Sequence, residues 1–342
     1  MQDIIINETY RVDLKIGQGG FGLVYAGTDI QPNKEVAIKL MHVRDDSYFL
    51  KNEAQTYKAL SGGVGIPRVL WFGQECDYYV LVHDILGPSL EDLLNYCDRR
   101  FSLKTILLIV DQAISRIQYI HSKGFLHRDI KPENFLMGVG TLGNILYTID
   151  FGLAKEFCDA EQDRRYEGRA FGGTSQYASL NNHNRREQSW GDDLESLGYM
   201  FVYFARGTLP WQGLRAASDK GKNELIKEKK TTLRVETLCE GLPEEFVTYL
   251  YYTRSLEFED KPDYVYLRQL FRRLFKSKGF KYDNIFDWTE KRFHEMKSQA
   301  SSPPKSRPPQ SKPPPPVQRR TQKKVRKTAN VRQQRRVIKT VD

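Results

Sequence analysis

Cysteines and long apolar runs are scarce in this chain. Its four cysteines, Cys76, Cys97, Cys158 and Cys239, lie far apart and form no Cys-x-x-Cys pair. This spacing argues against a zinc site or a disulfide framework and favours a reducing compartment. No run of about eighteen apolar residues is present, so the sequence predicts no membrane span. It also predicts no secretory signal and no lipid anchor, because the start lacks an apolar core and the end lacks cysteine.

Acidic residues are almost absent from the end of the chain. Residues 297–342 contain 14 Lys or Arg but one acidic residue, whereas the first 296 residues contain 39 basic and 42 acidic ones. The net charge of +10 therefore comes from the tail. Its composition predicts a disordered, Pro-rich and basic segment that suits import receptors or other acidic surfaces, although a solvated charge run is the plain alternative. Because the tail has no aromatic residues, we expect no sequence-specific binding of nucleic acid.

The remaining sequence can bury a sizeable core, since 39% of the chain is hydrophobic. Its pattern predicts a small β-rich lobe at 8–85 and a larger helical lobe at 86–296. Strands are predicted at 10–16, 23–29, 35–41, 68–74 and 78–84. Helices are predicted around Glu53 and at 89–94, 102–123, 192–206, 242–255 and 264–278.

Three polar residues have a spacing that is typical of a catalytic loop. Asp129 lies five residues before Asn134, and the triplet Asp150-Phe151-Gly152 follows. Phosphoryl transfer from ATP requires such a set, in which one carboxylate accepts a proton while an amide and a second carboxylate hold magnesium. Isolated polar residues more often cap helices, but all three in this spacing favour catalysis.

A glycine-rich segment lies between two apolar, alternating runs. Its spacing also suits a dinucleotide-binding turn, but the residues that follow predict a strand and not a helix. We therefore predict a hairpin over the phosphates of ATP. The candidate ATP-binding residues of this hairpin are Ile16, Gly17, Gln18, Gly19, Gly20, Phe21, Gly22, Leu23 and Val24.

Lys39 ends an apolar, β-branched strand, where its charge needs a partner. We predict that Lys39 contacts the phosphates of ATP and that Glu53 on the next helix pairs with it. Taken alone, a lysine at a sheet edge and a solvated glutamate are the plain alternatives. In the stretch that links the lobes, backbone groups of Asp84 and Leu86 are expected to meet adenine.

Over residues 8–292 the sequence resembles a eukaryotic protein kinase, and more narrowly the casein kinase 1 family. The narrower resemblance rests on LGPSLEDL at 86–93, KPENFLMG at 131–138, YASLN at 177–181, DDLESLGY at 192–199 and LPWQGL at 209–214. It implies a two-lobed α+β kinase fold, ATP and Mg²⁺, and serine/threonine kinase activity in a monomer that needs no activation-loop phosphorylation.

The resemblance also implies a role for individual residues. Asp129 would be the catalytic base, Lys131 would stabilise the transferring phosphoryl group, and Asn134 and Asp150 would hold magnesium. Substrates would be acidic sites, or sites primed by a phosphate. The residues that map onto the family's anion site are Gln212, Gly213 and Lys222, with Arg164, Arg165 and Arg169 nearby.

Two positions depart from the family pattern. Gln176 stands where the family has an arginine that binds the anion, and a neutral amide cannot form a charge-assisted, bidentate contact. We therefore expect a weaker dependence on priming. His83 stands where the family has an apolar residue, usually methionine, and we expect a neutral histidine packed behind adenine that alters inhibitor sensitivity.

Two other functions are compatible with the sequence. A kinase fold without activity could act as a scaffold, but Lys39, Asp129, Asn134 and Asp150 are all present and argue against it. Alternatively, binding of acidic partners through the tail could be the main function. We expect the tail to be an address, with the chain in the nucleus and a pool in the cytoplasm.

Deleting residues 300–342 separates these functions. We expect the shortened chain to keep its activity toward peptides and to lose nuclear accumulation, measured by phosphate transfer and by microscopy of a tagged chain. A full-length chain with glutamine in place of every Lys and Arg from 319 to 339 is the control for charge. Retained peptide phosphorylation with loss of protein phosphorylation would instead make the tail a docking arm.

Overall fold

The computed structural model describes residues 4–19, 22–45, 48–157 and 171–301. The predicted two-lobed α+β fold is confirmed in this part of the chain. No helix that it contains is both long and apolar enough to cross a membrane. The predictions that lie outside the described residues concern Gly20, Phe21, Cys158, Arg164, Arg165, Arg169 and the tail from residue 302.

The small lobe is built on an antiparallel sheet. Its strands are β1 (Ile5–Ile6), β2 (Tyr10–Gly19), β3 (Gly22–Asp29), β4 (Lys34–His42), β5 (Val69–Glu75) and β6 (Tyr78–Asp84). They lie in the order β1-β2-β3-β4-β6-β5. All five predicted strands are confirmed, and their ends differ by up to three residues. The sequence did not predict β1, because two residues are too short to show a period.

Alternation along β6 sends its side chains to opposite faces of the sheet. Val80 and Val82 pack on one face, in a small apolar cluster that also contains Val36 of β4. Leu81 and His83 face the other way, toward helix α1 (Tyr48–Ala59), and the His83 ring centroid lies 6.0 Å from that of Tyr57. The strand period therefore directs His83 toward the cleft between the lobes.

The large lobe is mainly helical. Its helices are α2 (Leu90–Tyr96), α3 (Leu103–Ser122), α4 (Leu180–His183), α5 (Trp190–Arg206), α6 (Asp219–Thr232), α7 (Val235–Leu238), α8 (Glu244–Ser255), α9 (Tyr264–Ser277) and α10 (Asp287–Ser301). Of the 17 residues in α5, 16 are buried, so this helix forms the centre of the lobe. The predicted helices are confirmed to within two residues at each end.

Two longer helices were not predicted. In α6 only Ile226 and Lys230 are buried, so the helix shows little apolar periodicity. In α10 polar residues predominate, and the helix runs through Ser301, beyond the predicted start of the tail at residue 297. The tail's predicted start thus overlaps the last residues of this helix, because a polar helix that docks through hydrogen bonds resembles a tail in composition.

Four short strands bring two loops together. They are β7 (Phe125–Leu126), β8 (Phe135–Met137), β9 (Leu146–Thr148) and β10 (Lys155–Glu156); β8 pairs with β9, and β7 with β10. The backbone N–H of Ile149 donates to the carbonyl of Asn134 at 3.0 Å. The loop that ends at Asn134 therefore lies beside the segment that begins at Asp150.

Candidate active site

A cavity of about 490 Å³ opens between the sheet and the large lobe. Apolar side chains of β2, β3 and β4 line one wall, and those of the β8–β9 hairpin and its exit line the other. The apolar lining residues on these elements are Ile16, Val24, Ala37, Leu136 and Ile149. An apolar slot that ends in charged groups suits a planar base attached to phosphates.

Lys39 lies between two carboxylates in this cavity. Its Nζ donates to Glu53 Oε2 at 2.6 Å and to Asp150 Oδ1 at 2.8 Å. Burial alone would lower the pKa of Lys39, but the attraction of both carboxylates outweighs it and raises the pKa. Burial alone would raise the pKa of Asp150, and the Lys39 charge outweighs this and lowers it. The site therefore holds a charged ammonium beside an ionised carboxylate.

Asp129 is fixed from both sides. The Lys131 ammonium donates to its Oδ2 at 2.5 Å, while Thr174 donates its backbone N–H and its hydroxyl to Oδ1 at 3.0 and 2.9 Å. The Asn134 side-chain nitrogen donates to the Asp129 carbonyl at 2.9 Å. The carboxylate is therefore held in one orientation, as a base must be, and a positive charge lies next to it.

A buried carboxylate on α5 holds the backbone of the catalytic loop. Asp193 accepts from the backbone N–H groups of His127 at 2.8 Å and of Arg128 at 2.9 Å, and from the His121 ring at 2.9 Å. Burial would raise the pKa of Asp193, but the hydrogen bond from His121 and those from the backbone outweigh it and lower the pKa. No local pattern in the sequence indicates this role, because these partners lie at least 65 positions away.

Helix α1 holds the segment that follows β9. Asp150 has left-handed backbone angles, with φ of 66° and ψ of 68°, and its N–H donates to the Tyr57 hydroxyl at 3.3 Å. The Asn52 amide donates to the carbonyls of Gly152 at 3.1 Å and Ala154 at 2.8 Å. Asn52 was missed from the sequence because its partners are about 100 residues away.

Seven of the predicted ATP-binding residues line the cavity. They are Ile16, Gly17, Gly22, Val24, Lys39, Glu53 and Leu86. Gly22 has a φ of 121°, and a Cβ at this position would lie 2.2 Å from the Leu40 carbonyl oxygen. Only glycine fits at this point of the hairpin.

Other predicted ATP-binding residues do not line the cavity. Leu23 is directed to the other face of the sheet from Val24 by the strand period. The Gln18 side-chain oxygen accepts from Lys15, and the Asp84 carboxylate pairs with Arg68. The Asp84 N–H donates to the Arg68 carbonyl at 3.1 Å, so its carbonyl oxygen is the group that could contact adenine. Gly19, at the end of β2, is likewise absent from the lining.

His83 lines the cavity and is 8% exposed. Its Nδ1 lies 2.8 Å from the carbonyl oxygen of Asp84, which can only accept, so Nδ1 carries the proton. Burial lowers the pKa of His83, which favours the neutral ring. The ring thus contacts the backbone of the stretch that links the lobes.

The residues predicted to bind a substrate anion are only partly brought together. The Trp211 indole N–H donates to the Gln176 carbonyl at 2.8 Å, so the residue that precedes Gln212 contacts Gln176. Lys222 is exposed near the start of α6. Among the described contacts, none joins the Lys222 side chain to the 212–213 turn.

Asp150 and Asn134 offer the oxygen ligands that magnesium prefers. Asn134 uses its side-chain nitrogen for the Asp129 carbonyl, so its side-chain oxygen is the atom suited to a cation. Mg²⁺ commonly takes one or two protein ligands and completes its shell with water and phosphate. In the part of the chain that is described, no three His, Cys, Asp or Glu side chains form a metal cluster. The residues fit Mg²⁺ that arrives with a phosphate ligand.

A comparison with protein families agrees with this geometry. A family model described as a protein kinase domain matches residues 10–255, more than two thirds of the chain. The matched range contains all of the cavity and catalytic residues described above.

Replacing His83 with methionine should change the potency of ATP-competitive inhibitors that reach behind the adenine site. The change removes a ring and its hydrogen bond to the Asp84 carbonyl, so the shape and polarity of that wall differ. Inhibitor titrations of both chains measure the effect, and His42→Met on the same sheet is the control. Superimposable inhibition curves for the His83 variant and the unaltered chain would contradict the prediction.

Proposed function

The chain belongs to the protein kinase family, and we propose that it is a serine/threonine kinase of the casein kinase 1 type. Protein kinases in general use ATP and Mg²⁺. In this proposal the chain acts as a monomer and transfers the γ-phosphoryl group to Ser or Thr in acidic or phosphoprimed proteins. The motifs that resemble casein kinase 1 support the narrower assignment. Two of them form part of α5 and the turn beside Gln176.

The arrangement around Asp129 is the observation that carries the proposal. Asp129 is 4% exposed, and Lys131 and Thr174 donate to different oxygens of its carboxylate. A hydroxyl of a substrate that approaches this carboxylate would find a base already oriented. Asp129 is hydrogen-bonded to Asn134, which lines the same cavity as Lys39 and Asp150.

Each residue has a distinct role in the proposed transfer. Asp129 accepts the proton of the attacking hydroxyl, and Lys131 balances the negative charge that shifts toward the acceptor. Lys39, which Glu53 and Asp150 hold in place, donates to the phosphates. Mg²⁺, when bound through Asp150 and Asn134, would neutralise phosphate charge. Transfer then depends on positioning and electrostatic stabilisation.

Exposed positive charges support the preference for acidic substrates. Arg215, Lys220 and Lys222 are exposed after the 212–213 turn, and none of them forms an ion pair with a described residue. Such a group attracts acidic peptides. An inactive scaffold is the alternative function, and the complete set of catalytic contacts argues against it.

The location of the chain is part of the same proposal. The basic composition of residues 302–342 supports a localisation signal that binds import receptors or another acidic surface. We propose a nuclear chain with a cytoplasmic pool.

Phosphate transfer from Mg²⁺-ATP to an acidic serine peptide tests the proposal directly. We expect Asp150→Asn to lower the rate at least about a hundredfold, because the variant loses an anionic magnesium ligand. Glu156→Gln, an exposed change of the same type nearby, should leave the rate unaltered. Absence of transfer by the unaltered chain, with ATP still bound, would support a scaffold instead.

Replacing Gln176 with arginine should increase the preference for a primed peptide. A guanidinium adds a charge-assisted contact to the priming phosphate, so we expect kcat/KM for the primed peptide to rise about tenfold relative to its unprimed twin. Steady-state kinetics with both peptides measure this ratio. If the unaltered chain already preferred the primed peptide by orders of magnitude, Gln176 would not weaken priming.

A further inference from the structure

Lys230 is a buried cation that the proposed chemistry does not use. It lies near the end of α6, a polar helix in which Ile226 is the other buried residue. Lys230 is 1% exposed. Burying an ammonium without partners is costly, so the contacts of Lys230 show what the burial serves.

The Lys230 ammonium binds backbone carbonyls. Its Nζ donates to the carbonyl oxygens of Ser175 at 2.9 Å and Ala178 at 2.6 Å. The faces of Tyr199 and Trp211 lie 4.7 and 5.0 Å from it, which adds cation–π attraction. Burial strongly lowers the pKa of Lys230. The His183 Nε2 lies 3.2 Å from the same Nζ. No described carboxylate lies within ion-pair distance, so backbone oxygens, aromatic faces and one imidazole nitrogen surround this group.

The carbonyls belong to residues 173–180, which we term the substrate segment. The segment begins at Gly173, whose φ of 80° lets Thr174 reach Asp129, since a Cβ here would lie 2.7 Å from a backbone oxygen. It ends where the Leu180 N–H donates to Glu195 at 3.3 Å. Trp211 binds the Gln176 carbonyl between these points.

Lys230 therefore acts on the middle of a segment whose first residues touch the catalytic base. Two carbonyls, three positions apart, are drawn to one ammonium, and Gln176 lies between them. The side chains that line the ATP cavity come from other elements. Loss of Lys230 would thus weaken the binding of a protein substrate and leave the binding of ATP unchanged.

We propose that Lys230 is a positioning residue for the protein substrate: it holds the substrate segment so that Thr174 stays hydrogen-bonded to Asp129 and the backbone around Gln176 keeps its position. The inference rests on the proposed kinase function. It assigns to a buried residue of α6 the part of specificity that depends on the shape of the segment.

Kinetics of Lys230→Met separate this role from a merely structural one. We expect KM for the peptide to rise about tenfold, because two hydrogen bonds to a cation are lost, and KM for ATP to change less than about twofold. Lys230→Arg should restore part of the peptide affinity. Lys229→Met, an exposed neighbour on the same helix, is the matched control.

The outcomes are distinct. An unchanged peptide KM, or parallel changes in both KM values, would overturn the inference. If the unaltered chain transferred no phosphate in the same assay, the proposed function itself would fail. Should Lys230→Met not fold, Trp211→Phe removes the N–H that binds the Gln176 carbonyl, together with part of the ring face that Lys230 contacts. That variant should raise peptide KM in the same selective way, and a failure to do so would count against the proposal.

Discussion

The active site depends on the requirement that a charge removed from water must have a partner. Lys39 meets this requirement with Glu53 from α1 and Asp150 from the segment after β9, so one ammonium joins three elements. Asn52, one residue before Glu53, binds carbonyls of the same segment. Moving α1 outward would leave a buried charge unpaired at a cost of about 3–5 kcal/mol. The position of α1 and the capacity to hold phosphates are therefore coupled.

Buried charges also hold loops that no helix or strand stabilises. Asp193 accepts from two successive amides of the catalytic loop, and Lys230 donates to two carbonyls of the substrate segment. Buried backbone N–H and C=O groups that have no partner in a helix or sheet must form a hydrogen bond with a side chain or water. Helices α5 and α6 thus each supply one charged side chain that shapes a loop beside Asp129.

Residues whose chemistry demands a local spacing could be predicted from the sequence. Asp129 and Asn134 belong to this class, as does Lys39, because a lysine on an apolar strand needs an explanation. The strands and most helices followed from apolar periodicity, and α6 was missed because it buries so little. Asn52, Asp193 and Lys230 have partners 50 to 100 positions away. Such contacts become visible only when the chain is folded, since no local pattern records them.

The substrate segment is anchored by its main chain, and this has a consequence for evolution. Lys230, Trp211 and Glu195 bind carbonyl and amide groups, which almost every residue type supplies equally. The side chain of Gln176 can therefore be exchanged without loss of any of these anchors. Mutations at this position can change substrate preference while the main-chain contacts that hold the segment remain. An exchange here gives up one side-chain contact, the donation from Gln176 Nε2 to the Tyr177 hydroxyl at 2.9 Å, and keeps all three main-chain anchors.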